Sequence, residues 1–275
     1  IRDFCLSRGL GDVYKRQKHV AKKRFGQNFL TDQSVINSLV EAIAPQAADL
    51  MVEIGPGLGA LTKPLLQKLK QLHVVEVDRD IIAWMQAEYA KPAYAQSNIS
   101  IHNADALKFD FSSLGQGLRV TGNLPYNIST PILFHLLANV SHITDMHFML
   151  QKEVVERMVA QPSTSAYGRL SVMLQYHLHM DYLITVPPGA FEPAPKVESA
   201  FVRCVPHTTL PFIAKDEAVF AKVVLAAFSQ RRKTLRNTLK GLLADEGFSA
   251  LNIDSQQRAE NLSVADFVAI ANYLS

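Results

Sequence analysis

The sequence is poor in the features that mark secreted or membrane-spanning proteins. Its 275 residues include two cysteines, Cys5 and Cys204, which lie far apart and have no metal-binding spacing. Two distant cysteines do not make a disulfide framework, so we expect a protein of the reducing cytoplasm. No apolar run reaches the ~18–20 residues of a membrane-spanning helix, and the first residues lack the apolar centre of a secretory signal.

Net charge is also small, at a formal +3, and much of it lies in a short leader. Residues 1–16 hold four basic and two acidic side chains, so the remainder is close to neutral. A nucleic-acid interface would therefore depend on local basic clusters. Residues 1–17 lack hydrophobic periodicity, and we interpret them as a non-native or disordered leader, with a genuine flexible tail as the alternative.

The rest of the chain contains short apolar strands interleaved with amphipathic helices. The predicted strands are 50–54, 72–77, 99–102, 118–121, 146–150, 182–186 and 200–205. This rhythm indicates an α/β fold with a mostly parallel sheet covered on both faces. The last two strands lack a long helix between them, so we expect an antiparallel pair at one edge.

The pattern becomes helical after residue 206. Helices are predicted over 216–243 and 263–274, after a linker that begins at His207. The sequence therefore predicts a first domain at 18–206 and a small, all-helical C-terminal domain at 207–275.

A glycine loop follows the first predicted strand, with Glu53, Gly55, Gly57 and Gly59 at alternate positions. Glycine permits positive φ and a close approach of the backbone to a ligand. Glu76 lies 21 positions after Gly55, where a carboxylate can accept hydrogen bonds from both ribose hydroxyls. The spacing differs from the dinucleotide pattern G-x-G-x-x-G and resembles the first motif of S-adenosylmethionine-dependent methyltransferases. A tight turn with no ligand is the alternative.

Polar residues also follow the third and fourth strands. Asp105 would either reach an adenine amine or cap the turn that follows it. Asn123-Leu124-Pro125-Tyr126 ends the fourth strand, at the edge where parallel sheets bind ligands. Since Pro125 holds Leu124 extended, the Leu124 carbonyl and the Asn123 side chain can both accept from a primary amine. Tyr126 offers a face for stacking a base, unless the run is a plain turn with a core tyrosine.

This combination suits the methylation of an adenine amine. Its lone pair is delocalised into the ring, and two acceptors that take both hydrogens would localise it toward a methyl donor. The product proton is acidic enough to leave to water, so alignment and electrostatics suffice without a metal or a strong base. We expect pocket width at Leu124 and Tyr126 to decide between one and two methyl groups.

Seven motifs in order make the chain after residue 17 resemble the ribosomal RNA adenine dimethyltransferase family. They are Lys23–Leu30, Val52–Leu58, Asn123–Ser129, Met149–Val154, Tyr167–Val172, Phe191–Val197 and Gln230–Arg236. The resemblance implies a Rossmann-like methyltransferase sheet of seven strands, with S-adenosyl-L-methionine as the cofactor. It also implies dimethylation of two adjacent adenines near the 3′ end of small-subunit (16S) rRNA during ribosome biogenesis, by a monomer whose partner is the small ribosomal subunit.

The same resemblance implies roles for individual residues. Cofactor contacts fall on Asn28, Leu30, Gly55, Gly57, Glu76, Asp105 and Asn123. The target amine would be held by Asn123 and the Leu124 carbonyl, with Tyr126 stacked on the base. Phe191 would cover the opposite face of the base, or else be a lid residue packed on the core.

Two basic clusters are candidates for RNA binding. The run Gln230–Arg236 has no acid nearer in the sequence than Glu217 or Asp245, and we predict that it lies on a helix. Such a cluster would bind phosphates, with a solvated helix face as the alternative. A second cluster lies beside the cofactor motif, and Arg169 and Lys196 would extend it. The basic residues of the two clusters are Arg231, Arg232, Lys233 and Arg236, and Lys22, Lys23 and Arg24.

Three other interpretations compete with this one. A large-subunit rRNA adenine methyltransferase of the antibiotic-resistance type would use the same chemistry, although the small helical domain favours the small subunit. A small-subunit assembly factor could bind as its main role, with methylation secondary. An NAD-dependent oxidoreductase is disfavoured, because the dinucleotide glycine pattern and a catalytic Tyr/Lys or His arrangement are missing.

Overall fold

The computed structural model of the protein describes residues 28–95 and 97–275. Within these ranges the chain forms nine strands and ten α-helices. The strands are β1 Phe29–Leu30, β2 Leu50–Ile54, β3 Gln71–Glu76, β4 Asn98–Asn103, β5 Leu118–Asn123, β6 Ile143–Gln151, β7 Leu178–Val186, β8 Phe191–Glu192 and β9 Ser199–Pro206. The helices are α1 Gln33–Ile43, α2 Thr62–Leu66, α3 Arg79–Tyr89, α4 Ser129–Leu137, α5 Lys152–Val159, α6 Arg169–His177, α7 Glu217–Ala227, α8 Leu235–Thr238, α9 Asp245–Ala250 and α10 Val264–Leu274. None of these helices has the length and apolar character needed to cross a bilayer.

The central sheet has seven strands in the order β4-β3-β2-β5-β6-β9-β7. The first five of these are parallel, and β9 runs antiparallel to both β6 and β7. The Rossmann-like methyltransferase sheet and its antiparallel edge pair are therefore confirmed. The chain runs outward from β2 to β4 and then returns to β5 on the other side of β2. Ligands bind at such a switch point, and here it brings the loop after β2 next to the end of β5.

Helices cover both faces of the sheet, as the apolar strands require. On one face α1, α2 and α3 contribute buried residues such as Leu39, Leu65 and Met85 to a shared core. On the other face α4, α5 and α6 do the same, for example with Ile132 and Val155. Helix α2 is short, with five residues.

A second, two-stranded sheet closes one side of the switch point. Strand β1 pairs antiparallel with β8, so that Leu30 lies opposite Phe191. The Thr31 backbone N–H also donates to the Ala190 carbonyl at 2.8 Å. Helix α1 then begins with Asp32 as its N-cap, whose carboxylate accepts from two backbone N–H groups. The first described residues are thereby fixed beside the cavity described below.

The C-terminal unit is helical, as predicted, but its first helix is broken. Instead of one helix over 216–243, α7 ends at Ala227 and α8 begins at Leu235. The N–H groups of Leu235 and Arg236 donate to the carbonyls of Gln257 and Ser255, at 2.8 and 3.0 Å. These bonds take the place of the helical bonds that would continue α7. Most of the basic run therefore lies in a turn, and its prediction as a helix was wrong.

Helix α6 joins the C-terminal unit to the sheet. Its residues Val172 and Tyr176 belong to the core formed by α7 and α10, while Leu170 and Leu174 belong to the core beneath the sheet. The predicted boundary at residue 207 lies directly after β9, whereas α6, which packs on both sides, comes earlier in the chain.

Candidate active site

A cavity of about 650 Å³ lies at the carboxyl edge of the sheet, between the loop after β2 and the end of β5. This volume is within the ordinary range for small-molecule and cofactor sites. The structure brings most of the predicted site residues to its wall. These are Asn28, Leu30, Gly55, Gly57, Glu76, Asp105, Asn123, Leu124 and Tyr126.

The glycine loop approaches the cavity in a conformation that side chains disfavour. Gly55 and Gly57 have φ values of 64° and 54°, in the left-handed region. A Cβ atom at Gly57 would lie 3.1 Å from Cδ1 of Phe29, which also lines the cavity. The loop therefore requires glycine both for its backbone and for the ring packed against it. Sequence reasoning quoted Phe29 within a motif but assigned it no role.

Glu76 presents a fixed carboxylate at the end of β3. Its Oε1 accepts from the backbone N–H groups of Val77 and Asp78, both at 2.8 Å. Burial raises the pKa of Glu76, and the N–H groups of Asp78, Val77 and Gly57 oppose that rise by stabilising the charged form. The carboxylate is thus fixed by the backbone, and it keeps acceptor capacity for a ligand in the cavity.

Asp105 takes the capping role considered for it and also lies on the cavity wall. Its Oδ1 caps the turn after β4 by accepting from the Leu107 N–H at 3.0 Å. The residue also lines the cavity, so its second oxygen can accept from a ligand. The turn fixes the position of the carboxylate and occupies only part of its capacity to accept hydrogen bonds.

Glu53 is a buried carboxylate at the wall of the cavity, which sequence reasoning noted only as part of the loop motif. It is 2% exposed, and its Oε2 accepts from the Thr62 hydroxyl at 2.6 Å. Burial raises the pKa of Glu53 to about 7; the Thr62 bond opposes this shift and the nearby Glu76 charge adds to it. A polar residue inside an otherwise apolar strand was the signal that could have identified it.

At the end of β5, Asn123 is oriented by the chain itself. Its Nδ2 donates to the Asn28 backbone carbonyl at 3.1 Å, so its Oδ1 is left as an acceptor. The Leu124 N–H donates to the Met149 carbonyl at 3.1 Å, while no N–H group of the described residues reaches the Leu124 carbonyl. Leu124 as a whole is 1% exposed and belongs to the core, and it also forms part of the cavity wall.

Tyr126 is half-buried on the cavity wall. Its hydroxyl forms a 2.8 Å hydrogen bond with Oγ of Ser199, a buried residue of β9. Burial raises the pKa of Tyr126, so the phenol stays neutral at ordinary pH. Sequence reasoning missed Ser199, because its partner lies 73 positions away.

Phe191 lies in the core, which is one of the two positions expected for it. The ring is 5% exposed, packs in the core with Leu30 and Val186, and is absent from the cavity wall. The pairing of β8 with β1 pulls Phe191 toward the core. Its placement as a lid packed on the core fits this structure, and contact with a base would require the loop to move.

Acidic residues that are distant from the basic run in the sequence lie close to it in the folded protein. Arg236 pairs with Asp245 at 2.5 Å, and Arg231 lies 3.7 Å from Glu260 and donates to the Ser165 carbonyl. Arg232 and Lys233 are exposed and form no ion pair with a described residue. The predicted cluster of Lys22, Lys23 and Arg24 lies outside the described residues.

The chain matches the family model for ribosomal RNA adenine dimethylases over residues 18–275. A ribosomal RNA small subunit methyltransferase A from Methylobacillus flagellatus is 71% identical over 258 residues, which cover 94% of this chain and 99% of the relative. A relative of the same name from Thiobacillus denitrificans is 60% identical over 257 residues, with the same coverage of both chains.

Two solved structures share the fold. The dimethyladenosine transferase from Plasmodium falciparum superposes with a TM-score of 0.75 at 24% identity, covering 88% of this chain and 95% of its own. The 23S rRNA methyltransferase ErmE gives a TM-score of 0.71 at 19% identity, covering 90% and 99%. At such identities these likenesses concern the fold alone. Because the family model and the relatives match nearly the whole length, the chain belongs to the ribosomal RNA adenine dimethylase family.

Proposed function

We propose that this protein transfers methyl groups from S-adenosylmethionine to the exocyclic amines of two adjacent adenines near the 3′ end of small-subunit rRNA. The product is dimethyladenosine, formed in the cytoplasm during ribosome biogenesis by a monomer acting on the small ribosomal subunit. Family membership supports the reaction, and the printed names of the relatives, which specify the small subunit, support the choice of RNA.

The strongest structural support is the pair of acceptors at the end of β5. The Asn28 carbonyl engages the amide nitrogen of Asn123, so that Oδ1 is presented as an acceptor before any substrate arrives. The adjacent Leu124 carbonyl is free of described donors, and both residues line the cavity. Two fixed acceptors match the two hydrogens of a primary amine.

The residues of the cavity fit S-adenosylmethionine. Gly55 and Gly57 let the loop backbone take positive φ at the cavity wall, where it can approach a ligand closely. The Glu76 and Asp105 carboxylates are fixed by backbone donors and line the cavity, where they would accept from ribose hydroxyls and from an adenine amine. When bound, the cofactor supplies an electrophilic methyl group.

Asn123 and Leu124 activate the amine by accepting its two hydrogens. This pulls the hydrogens away from the ring plane and localises the nitrogen lone pair. Tyr126 supports the base by stacking, which is worth about 1–3 kcal/mol per base in single-stranded recognition. The proton of the methylated nitrogen leaves to water, so the chain needs to supply alignment rather than a strong base.

Mass spectrometry of small-subunit rRNA after incubation with S-adenosylmethionine tests the proposal. Immature small subunits should gain dimethyladenosine at two adjacent adenines, while large subunits should stay unlabelled. Label in large subunits alone would overturn the choice of RNA, and absence of dimethyladenosine from both would overturn the function.

An Asn123→Ala variant supplies the matched control. We expect methyl transfer to fall by on the order of 100-fold or more, as when one preorganised polar group is removed from an active site. Binding to small subunits should persist, which would separate any assembly role from methylation. If subunit binding also disappeared, the two roles would be inseparable by this change.

A further inference from the structure

Tyr126 is held at two points by serine hydroxyls. The hydroxyl of Ser129, at the start of α4, donates to the Tyr126 carbonyl at 3.1 Å and fixes the backbone. At the other end of the residue, the phenol bonds to Ser199 Oγ at 2.8 Å. The ring between these points is half-buried and lines the cavity. Its orientation toward the cavity therefore depends on where the phenol is tied.

Ser199 is a rigid anchor for that bond. It is fully buried, and its backbone pairs with Gln151 of β6 on one side and Val186 of β7 on the other. Among the described residues, the Tyr126 phenol is the hydrogen-bond partner of the Ser199 hydroxyl. A buried hydroxyl without a partner is costly, so the Tyr126 rotamer that reaches Ser199 is favoured.

We propose that Ser199 is a positioning residue for methyl transfer, which fixes the Tyr126 ring so that the target adenine stacks at one depth and one angle. This inference rests on the proposed function. The constraint matters most for the second methyl group. A monomethylated amine has a single hydrogen left for the acceptors of Asn123 and Leu124, so its alignment depends more on the stacked ring.

The test is Ser199→Ala, assayed for single-turnover rate, substrate affinity and product composition. We expect kcat to fall by about 10- to 100-fold, the scale at which a misplaced reactant slows a reaction. KM for small subunits and the Kd for S-adenosylmethionine should stay within about twofold, because neither contacts Ser199 in this arrangement. Monomethyladenosine should accumulate. Ser199→Cys, which keeps a weak hydrogen-bonding group of similar shape, should partly restore dimethylation.

A double variant distinguishes this bond from other effects of Ser199. Tyr126→Phe removes the phenol oxygen and so breaks the same hydrogen bond from the other side. If the bond is the cause, Ser199→Ala should add nothing to the defect of Tyr126→Phe. Additive defects would show that Ser199 acts by another route and would overturn the proposal.

Ser171→Ala is the control for general destabilisation. Ser171 is also fully buried, and its hydroxyl donates to the Arg157 carbonyl on a helix away from the cavity. It should lower the melting temperature as Ser199→Ala does, with kcat and the product ratio unchanged. An altered ratio in Ser171→Ala, or an unaltered one in Ser199→Ala, would overturn the positioning role alone. Failure of the unsubstituted protein to form dimethyladenosine would instead overturn the proposed function.

Discussion

At the residue scale, Glu53 is an ionisable group whose charge opposes folding. Burial raises the pKa of its carboxyl from 4.5 to about 7, so the folded protein binds a proton that the unfolded chain releases. Between those two pH values the folded state holds more protons, and stability falls as pH rises. The destabilisation caused by the buried charge is absent in acid and reaches its full size above the pKa that Glu53 has in the folded state. A carboxylate stabilised by a salt bridge has the opposite effect, because the stability it contributes rises with pH.

We expect Glu53→Gln to remove this pH dependence. Glutamine keeps an oxygen that can accept from Thr62, but it carries no charge to desolvate. The variant should match the unsubstituted protein in stability near pH 4.5 and exceed it increasingly up to about pH 8. The difference should reach about 3 kcal/mol, since one pKa unit corresponds to about 1.4 kcal/mol. Urea unfolding of both cofactor-free proteins across this range measures it, and parallel stability profiles would contradict the prediction.

Residue positions could be predicted from sequence where the chemistry is local. Gly55, Gly57 and Glu76 follow from spacing along neighbouring strands, and the structure lines them along one cavity. Ser199 could not be predicted, because nothing near it in the sequence indicates that the partner of its hydroxyl is Tyr126. For Phe191 the sequence left two positions open, against the base or packed on the core, and the pairing of β8 with β1 places it in the core.

At the scale of elements, the glycine loop depends on contact as well as on backbone conformation. An alanine at Gly55 or at Gly57 must adopt a left-handed conformation, which costs roughly 1–2 kcal/mol. At Gly55 the nearest neighbour of the added Cβ is a backbone oxygen at 3.9 Å, so no steric cost is added to the conformational one. At Gly57 the Cβ would lie 3.1 Å from the Phe29 ring, and the ring must shift.

We therefore expect Gly57→Ala to weaken S-adenosylmethionine binding more than Gly55→Ala does. A further loss of about tenfold in affinity corresponds to about 1.4 kcal/mol, a modest cost for displacing a packed ring. Calorimetric titration of both variants at one temperature measures the difference. Equal losses would mean that loop conformation alone matters and that the Phe29 contact has no influence.

Strand β5 also carries a residue that stabilises the sheet at the end opposite the cavity. Arg119 forms a two-point ion pair with Asp145, at 2.9 Å for both bonds, and pairs with Asp49 at 2.6 Å. One of its nitrogens also donates to the Ile43 carbonyl at 2.7 Å, at the end of α1. These side chains are at most 20% exposed, so solvent screens them weakly. Four residues along the strand, Asn123 faces the cavity.

Arg119→Met should therefore separate stability from catalysis. Removing one partner leaves two carboxylates uncompensated in a buried cluster, which costs about 3–5 kcal/mol. We expect a matching loss in chemical unfolding, with kcat unchanged at a temperature well below the melting point. The stability of Arg119→Lys should lie between that of the unsubstituted protein and that of Arg119→Met, because an ammonium keeps the charge but lacks the planar fork of the guanidinium. A loss of kcat in folded Arg119→Met would contradict the assignment of Arg119 to stability and of Asn123, on the same strand, to catalysis.

Elements were predictable where their hydrogen bonds are local or their pattern repeats. The seven sheet strands and their antiparallel edge pair have apolar runs of the right length and are present. The break between α7 and α8 was not predictable, since it depends on carbonyls of Ser255 and Gln257 about 20 positions away. Sequence periodicity cannot indicate that a later segment will take over the hydrogen bonds of a helix.

At the scale of the whole molecule, charge is nearly balanced, so RNA binding must depend on a few unpaired cations. The turn between α7 and α8 supplies two of them, Arg232 and Lys233, which are exposed and have no acidic partner among the described residues. Arg236 has its charge offset by Asp245 at 2.5 Å. Arg231 ties the turn to the Ser165 carbonyl, in the loop before α6. Four basic residues that look equivalent in sequence are therefore unequal in the folded protein.

We expect Arg232→Ala/Lys233→Ala to weaken binding to small subunits and to flatten its salt dependence. Each phosphate contact releases counterions, so losing two contacts should reduce the slope of log K against log salt by about 1.5. Arg236→Ala is the matched control, because that side chain already has a carboxylate partner, and its slope should change by less than half as much. Binding isotherms between about 50 and 200 mM salt measure both slopes. An unchanged slope in the double variant would indicate that the phosphate contacts come instead from the cluster of Lys22, Lys23 and Arg24. If the two variants lost affinity equally, the ion pair with Asp245 would have no bearing on RNA binding.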